Sequence, residues 1–363
     1  MLNLLLKATY SALSLGQVGL NFTRAFHKAG VNLGLFPIGD KVDFEPFDEL
    51  EKEVKEYIVD AAQNRFRRLK KDIPSLAIWH INGSENRVCP KQYLYTFYEV
   101  DSPTIEELSI VESQEHTFFS SSFAAAEFRK RGCNNVSHVP LGVDPFLKKT
   151  NKEYLAPDVI HWGLIGKFER RKNTKAIIQL WLKKFGNDPK HQLTCLINNG
   201  FLKEEIYNQL IVQTLGGKNW SNVNLLPQMK LNSQVNDLYS AIDIDLSGLS
   251  NGEGWNLPAF NATALGKWSI VSNCSSHRDW ANSSNSILVD PIGKQDCYDD
   301  VFFTKNGMFN QGQYFQLGAQ DIVDAMDKAL EKAKTPNIEG EKLREKFTYE
   351  NSAKQILDSI YGN

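Results

Sequence analysis

A chain of 363 residues, 42% hydrophobic and 23% charged, is too long for one ordinary core and suits two soluble globular domains. Its formal net charge of −2 excludes a molecule-wide attraction to nucleic acid or membrane surfaces, so any such affinity must be local. The five cysteines, Cys89, Cys133, Cys195, Cys274 and Cys297, are odd in number, scattered and free of CxxC pairs, which argues against a disulfide framework or a structural zinc site and fits thiols kept reduced in a cytosol.

The opening MLNLLLKATYSALSLGQVG lacks a basic n-region and a small-residue cleavage site. It reads as a first buried strand over LNLLLKATYSAL rather than a signal peptide, and no later run approaches the ~20 apolar residues of a membrane span. GQVGLNFTRAFHKAG follows as a turn and a helix closing at Gly30, and VNLGLFPI as a second strand. The stretch PFDELEKEVKEYIVDAAQNRFRRLKK reads as a helix, SLAIWHI and YLYTFYEV as strands, SPTIEELSIVESQ as a helix, and HTFFSS and SHVPL as further strands. Strands alternating with helices imply parallel sheets covered on their faces.

VPLGVDPFLKKTNKEYLAPD carries Pro, Gly and Lys without periodicity, which places a domain boundary near residues 144–157. The alternation then restarts with DVIHWGLIG, a helix from Thr174 to Phe185, HQLTCLIN, a helix around Glu204–Leu215 and SNVNLLP. NSQVNDLYSAI, DIDLSGLS, the NLPAFNATALG helix, WSIVSN and SILVDPI follow, and DIVDAMDKALEKAK and YENSAKQILDSIYGN close the chain as helices. The expected organisation is an N-terminal Rossmann-like domain over 1–147, a second over 148–345, and a last helix over 346–363. Tandem doubly wound sheets bind ligands at the carboxyl ends of their strands, so the cleft between the domains is the expected working site.

The strongest chemical signal is Ser247–Gly266, SGLSNGEGWNLPAFNATALG. A Gly-rich loop leaves a buried strand and enters a helix with Pro258 in its first turn. Such a turn aims the backbone N–H groups of Gly254, Trp255, Asn256 and Leu257 at one place with the positive helix end behind them, which suits a diphosphate. The plain structural alternative is a strand-helix turn with Glu253 as capping carboxylate. Glu253 and Asn261 are eight positions apart, a spacing at which a loop residue and a residue on the helix can face one ligand. A second run, Lys167-Phe168-Glu169-Arg170-Arg171-Lys172-Asn173, follows the strand HWGLIG and gathers cations where a leaving diphosphate needs them; a solvated basic turn is the bland alternative.

In the first half, Gly16 lies in SLGQVG after strand one, while His80 in WHINGS and Glu99 in TFYEVDSPT end strands that face the cleft. Glu99 can take an acceptor proton or orient its hydroxyl. Asp101 or Ser102, before Pro103, reads as a helix N-cap. Asp243-Ile244-Asp245 mimics a metal-binding DxD, but it lies in an apolar strand-like run without a second ligand cluster, so no metal is expected. Arg65, Arg67, Arg68, Lys70 and Lys71 fit either a helix C-terminus complementing its dipole or contacts to nucleic-acid phosphates.

GEGWNLPAFNATALG resembles the EGFGLPxxEAMAxG signature of family 4 retaining glycosyltransferases, with the first glutamate of its E-x7-E pair at Glu253 and the second replaced by Asn261. KFERRK is similar to the family's GRxxxxKG segment through Lys167 and Lys172, with Arg171 as a third cation, VPLGVD resembles its inter-domain linker, and YENSAKQILDSIY its closing helix. The resemblance implies a GT-B fold of two Rossmann-like domains facing a cleft. It also implies transfer, with retention, from a nucleotide-diphosphate sugar, UDP-sugar favoured, to an acceptor hydroxyl, with no metal or other cofactor. By that resemblance Glu253 holds donor-sugar hydroxyls, Asn261 meets the nucleotide ribose through an amide in place of a carboxylate, and Gly16 brings backbone near the donor phosphates. Several turns are also similar to glycosyltransferases of tailed bacteriophages, which implies a hydroxymethylated pyrimidine in DNA as acceptor, in a host cytoplasm. A polysaccharide, lipid or protein acceptor, and a non-catalytic nucleotide-sugar-binding subunit, stay open.

Overall fold

The computed structural model describes residues 2–150, 154–299 and 301–362. In the first half the elements run β1 (Asn3–Ala8), α1 (Ser14–Lys28), β2 (Asn32–Pro37), α2 (Lys52–Gln63), α3 (Arg65–Arg68), β3 (Ser75–Ile78), β4 (Gln92–Thr96), α4 (Ile105–Glu112), β5 (His116–Phe119), α5 (Ser122–Lys130) and β6 (Val136–His138). Their six strands form one parallel sheet in the order β2-β1-β3-β4-β5-β6. Strands β3 and β4 are buried at every position, as expected where helices cover both faces of a parallel sheet.

The second half continues with β7 (Ile160–Ile165), α6 (Thr174–Phe185), β8 (His191–Leu196), α7 (Glu204–Thr214), β9 (Val223–Leu225), α8 (Asn232–Ala241), β10 (Ile244–Gly248), α9 (Leu257–Ala264), β11 (Trp268–Ser272) and β12 (Ser286–Val289). Then come β13 (Pro291–Asp296), β14 (Gln313–Leu317), α10 (Ala319–Lys332), α11 (Ile338–Glu341), α12 (Leu343–Lys346) and α13 (Tyr349–Tyr361). This parallel sheet is ordered β12-β11-β10-β7-β8-β9, and β13 and β14 pair antiparallel as a separate hairpin. Strand order reverses beside β1 in the first sheet and between β7 and β10 in the second. Ligand crevices of doubly wound sheets open at those places.

One apolar core runs through both halves, from Leu4, Val18 and Phe22 to Trp255, Phe260 and Phe347. The last helix, α13, returns to the first sheet's layer. Thr348 caps it by accepting from Asn351 N–H, and Tyr349, Ala353, Ile356, Leu357 and Ile360 form its buried stripe. Ser352 Oγ donates to the Pro140 carbonyl at 2.6 Å, and Lys28 pairs with Glu350 at 2.6 Å. Burying a side chain of this size is worth about 1.5–3 kcal/mol, so the stripe alone anchors the chain's end.

The structure corrects several boundaries. The first strand stops at Ala8 and α1 begins at Ser14, so Gly16 sits inside a helix and not in a turn. The long basic helix starts only at Lys52 and breaks at Asn64. Helix α4 is capped neither by Asp101 nor by Ser102: Thr104 and Glu107 form a reciprocal capping box, the stronger arrangement because it satisfies two N–H groups at once. Helix α5 and the hairpin β13–β14 carry no expectation above.

Candidate donor site at the carboxyl ends of the second sheet

β7 and β10 are neighbours, so the segments leaving them, 166–173 and 249–256, run side by side. Their charges meet there. Lys172 Nζ lies 2.6 Å from Glu253 Oε1 and Arg171 Nη1 2.7 Å from Oε2. Arg171 also donates to the Gly252 carbonyl at 2.6 Å, and its Nη2 lies 3.3 Å from Glu169, which pairs with Lys167 at 2.7 Å. Glu253 is 4% exposed and Arg171 7%. Burial by itself would raise the Glu253 pKa, but the Arg171 and Lys172 cations outweigh it and hold it down to about 2. Burial would likewise strip Arg171 of its proton, and Glu253, Glu99 and Glu169 reverse that and hold the guanidinium charged.

The three cations therefore differ in role. Arg171 spends Nη1 and Nη2 inside the protein and ties the two segments together. Lys172 and Lys167, with side chains 16% and 35% exposed, are the cations that can reach a ligand. Lys167 lies over the rings of Phe201 and Phe302, 5.0 and 4.7 Å from their centres, so its head is steered by aromatic faces.

Beyond Glu253 the loop turns into α9. Asn256 is the N-cap, in the left-handed conformation at φ 67, ψ 67, and its side chain accepts from Ala259 N–H. The N–H groups of Gly254, Trp255, Asn256 and Leu257 have no hydrogen-bond partner among the described residues. Gly254, Trp255 and Asn256 are buried, and orphaned buried donors are costly unless something negative completes them. All four N–H groups follow Glu253 directly in the chain, and Glu253 is the residue that pairs with Lys172. Asn261 sits on the second turn of α9 with Oδ1 buried and without a partner among the described residues, another polar atom left to be met.

The first domain contributes the opposite wall. Gly254 packs on Phe97, whose Cβ would lie 2.8 Å from a side chain at that position, and the Glu99 carbonyl would lie 2.9 Å from one at Gly252. Ser120 Oγ donates to the Gly254 carbonyl at 2.7 Å. His80 is exposed, and desolvation lowers its pKa, opposed by Glu99 and helped by Lys167. His80, Glu99, Lys167 and Arg171 thus feel one another across the domain gap. Gly16 has a local reason: a side chain there would sit 2.2 Å from Ser11 N, so it lets the β1–α1 loop fold back on its own helix. One residue on, the Gln17 amide pairs reciprocally with Asn232 at 2.8 and 3.0 Å across the gap.

The basic run 65–71 lies elsewhere. Arg65 donates to the Ala62 carbonyl at 2.5 Å, and Arg68 to Leu33 and Asp60 at 2.6 Å. Arg67, Arg68 and Lys70 line a recess of about 120 Å³ with Asn3 and Asn32, at the amino ends of β1 and β2 and hence at the far end of the sheet from the cleft. Asp243 and Asp245 are also internal. Asp243 pairs with Lys334 at 3.1 Å, and Asp245 accepts from Ser247 N and Oγ. Among the described residues no group of three or more His, Cys, Asp or Glu is arranged to hold a metal.

Two supports escaped the sequence reading. The 3-10 turn Ser275–Asp279 backs the donor loop: Ser275 Oγ accepts from Glu253 N–H at 3.2 Å, and Asp279 accepts from the N–H of Ser122 at 2.9 Å in the first domain. An arm between β13 and β14, described over residues 297–299 and 301–312, crosses to the first domain. Glu107 accepts from Asn310 N–H at 2.8 Å, Asp101 accepts from Gln313 N–H at 2.8 Å, and Lys294 pairs with Asp101 at 2.6 Å. Its tight turns show positive φ at Asn306, Asn310 and Gly312, residue types that tolerate that conformation.

No protein family pattern matches the chain, and no curated protein matches it in sequence. Solved structures do. Sucrose-phosphate synthase from Thermosynechococcus elongatus superposes with TM-score 0.69 at 15% identity, covering 99% of this chain and 98% of that one. The trehalose-6-phosphate synthase OtsA gives 0.68 at 11% with 99% of both chains covered. Anabaena HepE in complex with UDP and glucose gives 0.66 at 12% with 100% of both covered. The fold is GT-B. The two parallel six-stranded sheets with their flanking helices are those of that architecture. No described helix is long and apolar enough to cross a membrane.

Proposed function

We propose that this chain is a retaining glycosyltransferase that moves a sugar from a nucleoside-diphosphate sugar, a UDP-sugar first, to an acceptor hydroxyl. What supports the reading is the buried pairing of Glu253 with Lys172 at the switch point of the second sheet, followed in the chain by four N–H groups without a partner among the described residues. That is a preorganised place for growing negative charge. The donor preference leans on similar structures: HepE was solved with UDP and glucose, and an E. coli one with UDP-2-fluoro glucose.

In this reading the bond between the anomeric carbon and the diphosphate oxygen breaks, and its electron pair leaves on phosphate. The acceptor oxygen bonds the anomeric carbon from the same face and gives its proton to the departing phosphate oxygen. Lys167, Lys172 and the 254–257 amides stabilise the leaving group, Glu253 orients the sugar, and Glu99 and His80 orient the acceptor. Lysines and amides supply the positive charge, so the reading requires no metal. The basic run 65–71 lies at the opposite end of its sheet and gives a DNA acceptor no footing in the cleft.

A thermal-shift screen of UDP, UDP-, GDP- and ADP-sugars followed by a hydrolysis assay tests this. A donor present at 100 times its Kd stabilises the fold by about 2.7 kcal/mol. Stabilisation by a UDP-sugar with slow release of UDP supports the enzyme. Binding without turnover over a panel of acceptors supports instead a nucleotide-sugar-binding subunit, the reading that Asn261 favours, and no shift with any nucleotide sugar overturns both.

A further inference from the structure

The Ser275–Asp279 turn takes no part in the chemistry above, yet with Trp280 it meets the donor loop at three residues, Glu253, Trp255 and Asn256. Ser275 holds Glu253 N–H, Trp280 Nε1 donates to the Trp255 carbonyl at 3.2 Å, and His277 Nε2 lies 3.0 Å from Asn256 Nδ2. His277 is completely buried. Its proton can be placed from its partners. Nδ1 is 2.9 Å from the Ser272 carbonyl oxygen, which only accepts, so Nδ1 carries the hydrogen and Nε2 is left as an acceptor. The Asn256 amide then spends its two hydrogens on the Ser247 carbonyl, at 2.9 Å, and on His277 Nε2. Burial holds the imidazole pKa down to about 4, which keeps this inventory intact at neutral pH; a protonated ring would set Nε2–H against the amide hydrogens.

Asn256 is where the loop kinks. A non-glycine residue at φ 67 persists only when its surroundings over-determine it, and the amide's two bonds do so. The direction of the neighbouring N–H groups follows from that kink. We infer that His277 is a positioning residue for sugar transfer: as a neutral acceptor it fixes the Asn256 side chain and so aims the 254–257 amides at the donor diphosphate. This rests on the donor reading above, and His277 itself touches no substrate.

The test is a UDP titration by calorimetry, with donor KM and kcat, on wild type, H277F, H277Q, N256G and N256G/H277F. H277F keeps the ring and strands one buried amide hydrogen, so UDP binding weakens about tenfold and donor KM rises with it. H277Q, whose Oε1 can take the place of Nε2, recovers most of that loss. With Gly at 256 the His partner is gone, so H277F adds no further weakening beyond N256G alone. Equal weakening in both backgrounds would make His277 mere packing and overturn the inference, as would a UDP affinity in H277F equal to wild type. Imidazole 15N shifts at pH 7, which need no nucleotide, must show Nε2 unprotonated; a protonated Nε2 overturns it too. A wild-type chain that binds no UDP overturns the donor reading and this inference with it, whereas an unaffected H277F overturns this inference alone.

Discussion

Replacing Glu253 by Gln keeps its size and removes one buried charge from between two cations. In the wild type the Glu253 carboxyl, burial notwithstanding, is held by Arg171 and Lys172 from its ordinary 4.5 down to about 2. At 1.36 kcal/mol for each pH unit that is about 3 kcal/mol, the low end of the roughly 3–5 kcal/mol cost of breaking a buried pair. With 4% of the residue exposed, solvent screening removes little of it. The pKa is depressed by folding, so the contribution is complete above pH 4.5 and disappears as pH falls toward 2. E253Q should therefore melt about 6–12 °C below wild type at pH 7, from the 2–4 °C per kcal/mol of a domain of 150–250 residues. The gap should close as pH is lowered below 4.5. Near-UV circular dichroism melts of both proteins at pH 7, 5.5, 4 and 3 measure it. Equal melting at pH 7, or a gap as wide at pH 3 as at pH 7, would refute the reasoning.

Three further outcomes follow from the same contacts. Lys172→Ala should lower sugar transfer by about 10²–10³-fold, the scale of losing one preorganised charge stabiliser, as read by steady-state release of UDP; near-normal turnover removes Lys172 from the site. Asp101→Ala frees Gln313 N–H and Lys294, so limited proteolysis should cut the 297–312 arm several-fold faster, and an unchanged cleavage pattern would mean that Asp101 does not hold it. Burial raises the Asp245 pKa from 3.8 to about 6. The folded state thus keeps a proton that the unfolded chain has lost, and this group's contribution falls by up to about 3 kcal/mol as pH rises from about 4 through 6. Asp245→Asn should flatten that slope in urea midpoints at pH 4.5 and 7, and an unaltered slope would assign it to another group.

The alternation of apolar runs and helices was legible because parallel strands covered on both faces favour apolar residues, as Leu4, Leu5 and Leu6 in β1 and Trp162 and Leu164 in β7 show, although Asp245, Ser247, Ser269 and Ser272 are buried in β10 and β11 as well. The meeting of Lys172 with Glu253 was legible in part, since both follow strands whose carboxyl ends face one crevice. Arg171 was not. Nothing local tells a buried guanidinium bonded to a carbonyl and two carboxylates from a neighbour such as Lys172 that keeps part of its side chain open to solvent. The 275–280 turn was opaque for a similar reason: its partners stand about twenty residues upstream, at positions no periodicity connects. The arm escaped because its residues fill a gap against the other domain. Cys297, Phe303 and Tyr314 join Ile81, Tyr98 and Val100 in one cluster, so its apolar pattern answers to that partner and not to a strand or helix of its own.

Gly254 is demanded for a reason that its sequence neighbours do not show. In the sequence it stands for a flexible loop that frees its N–H groups. In the structure its φ is not positive, so no backbone conformation demands glycine there. The demand comes from Phe97, which would meet a side chain at 2.8 Å, while Gly252 is pressed in the same way by the Glu99 carbonyl. Both glycines are therefore required by contact between the two halves, at the place where the unpaired N–H groups begin. The loop proposed to offer a diphosphate its amides is also the surface on which the first domain rests, so a substitution at 252 or 254 is expected to disturb domain packing and the proposed donor binding together. Glu99, whose charge acts on His80 and on Arg171 from that contact, has its backbone carbonyl packed against Gly252.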